Sequence, residues 1–276
     1  MARKLFCEIS PLTYQISYHK EILKRHLRNL NDRTKFADEK LGVMLPVVVK
    51  SHSSILLRKL HGVDMRLQEN KVNNILLASA PINMLVIHPG ETFSFWHTVK
   101  SVSARKGYKE GLVITSKGEV GSGIGGGLCQ LANLIHWLVL NSPLTVTELH
   151  HHSDALFPDE RRRVPFGTGT SILYNYLDYR FRNDTDQDMQ LVIWVDEESL
   201  LGELRTTKEL PYRYRLIEEN NHFRKEGDEY YRISQVYQLV ISRETGETID
   251  RKLVLDNHSR VLYDHSLIPQ DQIRDE

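Results

Sequence analysis

Cysteine is scarce: the 276 residues hold two, Cys7 and Cys129. That leaves no disulfide framework of the kind that staples small secreted domains. Long apolar runs are missing as well. No stretch of about 18 apolar residues occurs, so no integral membrane segment is expected. The start, MARKLFCEISPLTYQISYHK, is positive but has no continuous apolar core, which argues against a secretory signal and for a cytoplasmic protein. An excess of charge is absent too. Lys plus Arg and Asp plus Glu are both 36, so no basic surplus draws the chain to nucleic acid or an anionic membrane. Internal repeats and low-complexity tracts are also lacking. What remains is an ordinary globular composition, 40% hydrophobic and 26% charged, with 13 His of which three are consecutive.

Periodicity predicts a surface helix over residues 15–41, where Ile22, Leu23, Leu27 and Leu30 recur at helical spacing. A strand is expected in 45–57, a helix over 69–86 and a strand over 111–116. The glycine cluster GSGIGGG occupies 121–127. After it, Leu128, Leu131, Ala132, Ile135, Leu138 and Val139 repeat at i, i+3, i+4, i+7, a buried helix face that Asn141-Ser142-Pro143 ends. A strand over 144–149 and a charged loop at 158–163 follow. Strand-like alternation then marks 172–183, 189–198, 230–243 and 249–264, with a hairpin turn at Glu244–Glu247. Helices first and strands later imply an α+β fold. Three parts are expected: a helix/strand extension (1–58), a mixed α/β core (59–207) and a strand-rich C-terminal part packed on it (208–276). Trp96, Trp137 and Trp194 are read as core, and Glu91 as a local structural group.

Cys129 is the candidate functional centre. Gly125, Gly126 and Gly127 permit a tight loop and close approach by a ligand. Cys129 then falls in the first helical turn, where free N–H groups and the macrodipole favour a thiolate and can hold an oxyanion. Gln130 adds a side-chain donor. The bland alternative is a small buried hydrophobe. On the helical wheel Cys129 shares a face with Asn133 and His136, but His136 lies too far along the axis to reach the thiol. A base must come from elsewhere. His150, His151 and His152 follow the next expected strand, and alternation puts His150 and His152 on one face, which also suits a metal. Gly121, Gly123 and Gly126 match G-x-G-x-x-G, with Glu148 near the distance of a ribose-binding acid, a lone and unspecific match. No metal and no cofactor are assigned.

Several ordered motifs resemble the VanW family: Gln68–Asn73, Ile87–Trp96, Gly107–Leu112, Gly125–Gln130, Ser142–Thr145, Glu148–His150, Asp178–Asp184 and Gly202–Thr206. They span roughly 60–206, about half the chain. The resemblance implies a peptidoglycan-related protein similar to L,D-transpeptidases with a cysteine nucleophile, in which Cys129 attacks a stem peptide, His150 is the base and a thioester forms. Many family members carry Asp in a Gly-x-Asp-Ala-Thr stretch; here Gly169 stands there. Asp154, Asp178 and His152 are the candidate replacements for that orienting group. The partner is then a peptide or cell-wall precursor, with the oligomeric state open. Two other readings remain: a non-catalytic accessory protein that cradles a peptide or glycopeptide, and a metal- or nucleotide-binding protein.

Overall fold

The computed structural model describes residues 5–57, 64–114, 120–151, 154–155, 158, 164–174 and 177–274. The fold is α+β, with four α-helices among the described residues and strands in several sheets. Helix α1 (Pro11–Asn31) starts because Ser10 accepts from Thr13 N at 3.2 Å and Pro11 sits at its first position. It ends ten residues before the expected limit of 41, where Arg33 turns to φ 49°. None of its residues is fully buried, and Leu23, Leu27 and Leu30 face outward.

Strand β1 (Val47–Ile55) lies before the boundary expected at residue 59, yet it pairs with β10 (Ser199–Thr206) from Val47↔Thr206 to Ile55↔Ser199. The antiparallel sheet continues through β9 (Met189–Val195) to β2 (Leu85–Ile87). Helix α2 (Met65–Ile82) stops short of residue 86. Pro81 cannot continue the backbone ladder, and Asn83 turns extended so that its Oδ1 accepts Ile193 N at 3.0 Å. Residues 85–87 are thereby strand rather than helix.

A second sheet orders β3 (Thr92–Ser94), β8 (Arg180–Arg182) and β6 (Thr145–Glu148). Short helix α3 (Phe95–Val99) follows β3 directly. The strand expected over 172–183 shrinks to β8, because the Asp178 carboxylate, not a strand partner, takes the Trp96 and Tyr179 amides. Hairpin β4 (Glu110–Ile114) and β5 (Val120–Ile124) contains Gly121 and Gly123, which pair with Val113 and Gly111. Those glycines are strand residues, so G-x-G-x-x-G does not form a phosphate loop.

Helix α4 (Cys129–Leu140) buries Leu131, Ile135 and Leu138 as its pattern predicts. It lies over β10 at Gly202, where an added Cβ would sit 2.9 Å from Leu134 and 3.2 Å from Leu138. The C-terminal sheet, in order β14 (Ile273–Arg274), β11 (Tyr212–Glu226), β12 (Glu229–Ser242), β13 (Thr248–Val261) and β7 (Asp154–Ala155), has a small core of its own around Phe166, Phe223 and Val261. Strand β11 has no counterpart in the periodicity. Trp96 is buried, Trp137 half-buried, and Trp194 is 39% exposed, contrary to a core role. Glu91 is buried and accepts His88 N at 3.0 Å, a local structural role.

Candidate functional site

The glycine loop is packed against the protein itself. A Cβ on Gly126 would meet Gly111 O at 2.2 Å, and one on Gly127 would meet Lys71 Cγ at 2.2 Å. Gly125 and Gly127 take φ of 79° and 91°, where a side chain is strained. Asn74, fully buried on α2, locks the loop: its Nδ2 donates to Lys109 O (2.9 Å) and Gly126 O (3.0 Å), and its Oδ1 accepts Lys109 N (2.8 Å). The close approach that glycine permits is therefore used by Gly111 and Lys71. The Gly125 and Gly126 amides are also spent, on Lys109 O and Gly123 O. Gly127 N carries no hydrogen bond among the described residues.

Cys129 begins α4 as a free, half-buried thiol, and no side chain caps this helix start. Burial pushes the thiol up, against the lowering pull of the Ile172 and Cys129 backbone groups bonded to it. A helix start alone predicts the opposite shift, and desolvation wins here. The face shared with Asn133 and His136 meets residues of two described stretches, 168–174 and 177–179. Thr170 N donates to Asn133 Oδ1 at 2.7 Å, and His136 Nδ1 lies 3.1 Å from Tyr179 Oη. Burial, with a smaller contribution from His151, drives His136 down to about 3, so it is a neutral core imidazole.

The first of these stretches joins the thiol to His150. Ser171 N donates to His150 O at 2.6 Å, while the next residue, Ile172, touches the Cys129 thiol. His150 Nε2 lies 3.0 Å from Glu148 Oε1. Glu148 also takes a two-pronged bond from Arg25 of α1 (2.6 and 2.7 Å), a bond from Asp178 N (3.1 Å) and an ion pair with Arg180 at 3.5 Å. Burial alone pushes the Glu148 carboxyl up, but Arg25, His150 and Arg180 outweigh it and hold it below its ordinary value.

Glu148 is thus the acid bonded to the imidazole. Two residues apart on an extended chain, Glu148 and His150 point to one side; that spacing was the available signal. Asp178 is instead a buried hub, accepting from Ser94 Oγ (2.6 Å), Trp96 N (3.1 Å), Tyr179 N (2.9 Å) and Arg180 Nε (2.7 Å). Asp154 lies in β7 opposite Arg260, in the C-terminal sheet. His152 and Arg161–Arg163 lie outside the described residues. Both protons of the Gln130 amide are committed, to Ser54 Oγ (2.8 Å) and Ile55 O (2.7 Å), so Gln130 ties α4 to β1 rather than supplying an oxyanion donor. Gly169 lies against Asn133, whose Oδ1 would be 3.3 Å from an added Cβ. Among the described residues no three His, Cys, Asp or Glu side chains gather as a metal would need.

A family model described as VanW like protein matches residues 70–205. The Vancomycin B-type resistance protein VanW of Enterococcus faecalis (strain ATCC 700802 / V583) is 33% identical over 219 residues, 79% of this chain and 79% of that protein. The Uncharacterized protein YoaR of Bacillus subtilis (strain 168) is 31% identical over 119 residues, 43% of this chain and 37% of that protein. No solved structure matches. The residues matched by the family model take in most of α2, Cys129, the Glu148–His150 pair and nearly all of β10.

Proposed function

This chain belongs to the VanW family, and from that premise we propose that it is a cysteine-dependent acyl transferase acting on cell-wall stem peptides. The name of the enterococcal relative supports a substrate drawn from the cell-wall precursors that vancomycin resistance concerns. The observation that carries the reading is the Glu148–His150 pair one backbone bond away from the segment that touches Cys129. A thiol raised by burial rests protonated, so attack needs a base. With Glu148 on Nε2, the Nδ1 lone pair of His150 takes the thiol proton. Sulfur then attacks the acyl carbon and the carbonyl oxygen becomes an oxyanion. The amides of Cys129 and Ile172, which already bond to sulfur, are the donors available to it. Collapse expels the leaving amine, which takes the proton from His150. An acceptor amine then attacks the thioester, gives its proton to His150, and the thiol is restored as the new amide leaves.

The expected result is that Cys129→Ala abolishes transfer between stem peptides, and that His150→Ala lowers it by roughly 10²–10⁴-fold. In the free protein, alkylation of Cys129 is expected to rise only above the ordinary thiol range. Turnover undiminished in Cys129→Ala overturns the proposal. A second reading, a peptide-binding accessory protein without chemistry, is favoured by the raised thiol and by the committed amides of Gly125, Gly126 and Gln130. Saturable binding of stem peptides with no thioester by mass spectrometry would select it.

A further inference from the structure

A separate cleft opens between α1 and α3, lined in part by Ser94, Trp96 and Arg180, which also donate to Asp178. It holds about 360 Å³ counting its mouth, and Trp96 and Tyr174, in edge-to-face contact at 5.4 Å, form part of its wall. The polar lining is mainly cationic or titratable: His26, His97, Lys100 and Arg180. Arg180 is only 8% exposed, and its hydrogen bond to protein is made through Nε; neither terminal nitrogen has one among the described residues. Its guanidinium lies over the Phe36 ring at 5.4 Å, and Phe36 in turn stacks on His97 at 4.2 Å. The planar fork is therefore held in place with its outer edge unused.

Two further observations point into the same space. Asn29 Oδ1 is buried and has no hydrogen-bond partner, although it lines the cleft. A buried acceptor without a protein partner calls for a donor, from water or from a ligand. Lys100 is exposed, has no ion-pair partner among the described residues, and sits at φ 63°, ψ −158°, a region that is essentially glycine's. Glycine would relieve that strain, so the position is one where the side chain can be removed without cost to the backbone.

We propose that this cleft is a subsite for the C-terminal end of a peptide or acylated amino acid. The Arg180 fork and Lys100 hold the carboxylate, and Asn29 Oδ1 accepts the adjacent N–H. A bare anion satisfies the cations but leaves Asn29 orphaned; a carboxylate flanked by an amide satisfies both. Arg180 also contacts Glu148 at 3.5 Å, so a carboxylate here adds negative charge beside the acid that holds His150.

The measurement is binding rather than turnover, so it stands apart from the acyl-transfer reading and is made on both the wild type and Cys129→Ala. N-acetylalanine, N-acetylalaninamide and inorganic phosphate are titrated while the Trp96 indole N–H resonance, whose Nε1 donates to Leu177 O at 2.8 Å beside the cleft, is followed. N-acetylalanine is expected to saturate the shift equally in both proteins, and the amide is expected to fail. Lys100→Gly is expected to weaken binding about fivefold while raising the melting temperature, since glycine relieves the backbone. Asn29→Leu should weaken N-acetylalanine and leave phosphate unchanged. Equal binding of acid and amide, indifference of N-acetylalanine to Lys100→Gly, or phosphate binding tighter than N-acetylalanine with Asn29→Leu without effect on either would overturn the assignment.

Discussion

His136 is a neutral imidazole buried against Tyr179, and this makes stability depend on pH in a calculable way. Its folded-state pKa falls from 6.5 to about 3, through burial first and His151 second. A group that is harder to protonate when folded contributes stability above its unfolded value. That contribution is lost as pH drops from about 6.5 toward the folded value. At roughly 1.4 kcal/mol per pH unit, this group removes about 2 kcal/mol between pH 7 and pH 5. Glu148 has the opposite origin but the same direction: its depressed carboxyl contributes above the ordinary Glu range near 4.3 and fails only below it, outside this window. The perturbation to make is His136→Leu with Tyr179→Phe. Replacing His136 alone would leave the fully buried Tyr179 hydroxyl without its 3.1 Å partner, whereas removing both polar groups can be near neutral. Urea unfolding at pH 7 and pH 5 is the assay. The double variant should lose about 2 kcal/mol less than the wild type on acidification. The same loss in both proteins would refute the claim that His136 is held neutral by burial.

Two other outcomes follow from the site. Arg25 and Glu148, with side chains 10% and 16% exposed, pin α1 to the core. Glu148→Ala should therefore cost about 3–5 kcal/mol, and a double-mutant cycle with Arg25→Ala should show coupling well above 1 kcal/mol; independent effects would mean that α1 is held by something else. Gly126→Ala drives a Cβ to 2.2 Å from the Gly111 backbone, whereas Gly42→Ala faces open space. Thermal melts should show a loss of about 3 kcal/mol or more for the first and within about 0.5 kcal/mol for the second.

Much of the architecture was legible because it is written in local periodicity. The α4 stripe predicts its buried face residue by residue, and the strands β1, β4, β6, β9, β12 and β13 overlap their expected ranges, whereas β10 and β11 were not expected. What misled was punctuation decided at a distance. Pro81 and the bond from Ile193 to Asn83 end α2 early, the pairing with β4 turns Gly121 and Gly123 into strand, and the Asp178 hub breaks the chain before β8.

The sequence by itself determined the α+β order of elements, the glycine-led start of α4 with Cys129 in its first turn, and the family to which those motifs belong. Only the tertiary structure decided the electrostatics around that cysteine. A helix start lowers a thiol locally, but the desolvation that raises Cys129 comes from tertiary packing, in which Ile172, 43 positions on, touches the thiol. The acid on His150 was chosen in the same way. Asp178, not Glu148, was among the groups expected to orient the imidazole, but folding surrounded Asp178 with amides and brought Glu148 against Arg25, a residue 123 positions away. Cys129 therefore stands as a thiol whose place was readable from the chain and whose charge state depends on long-range burial.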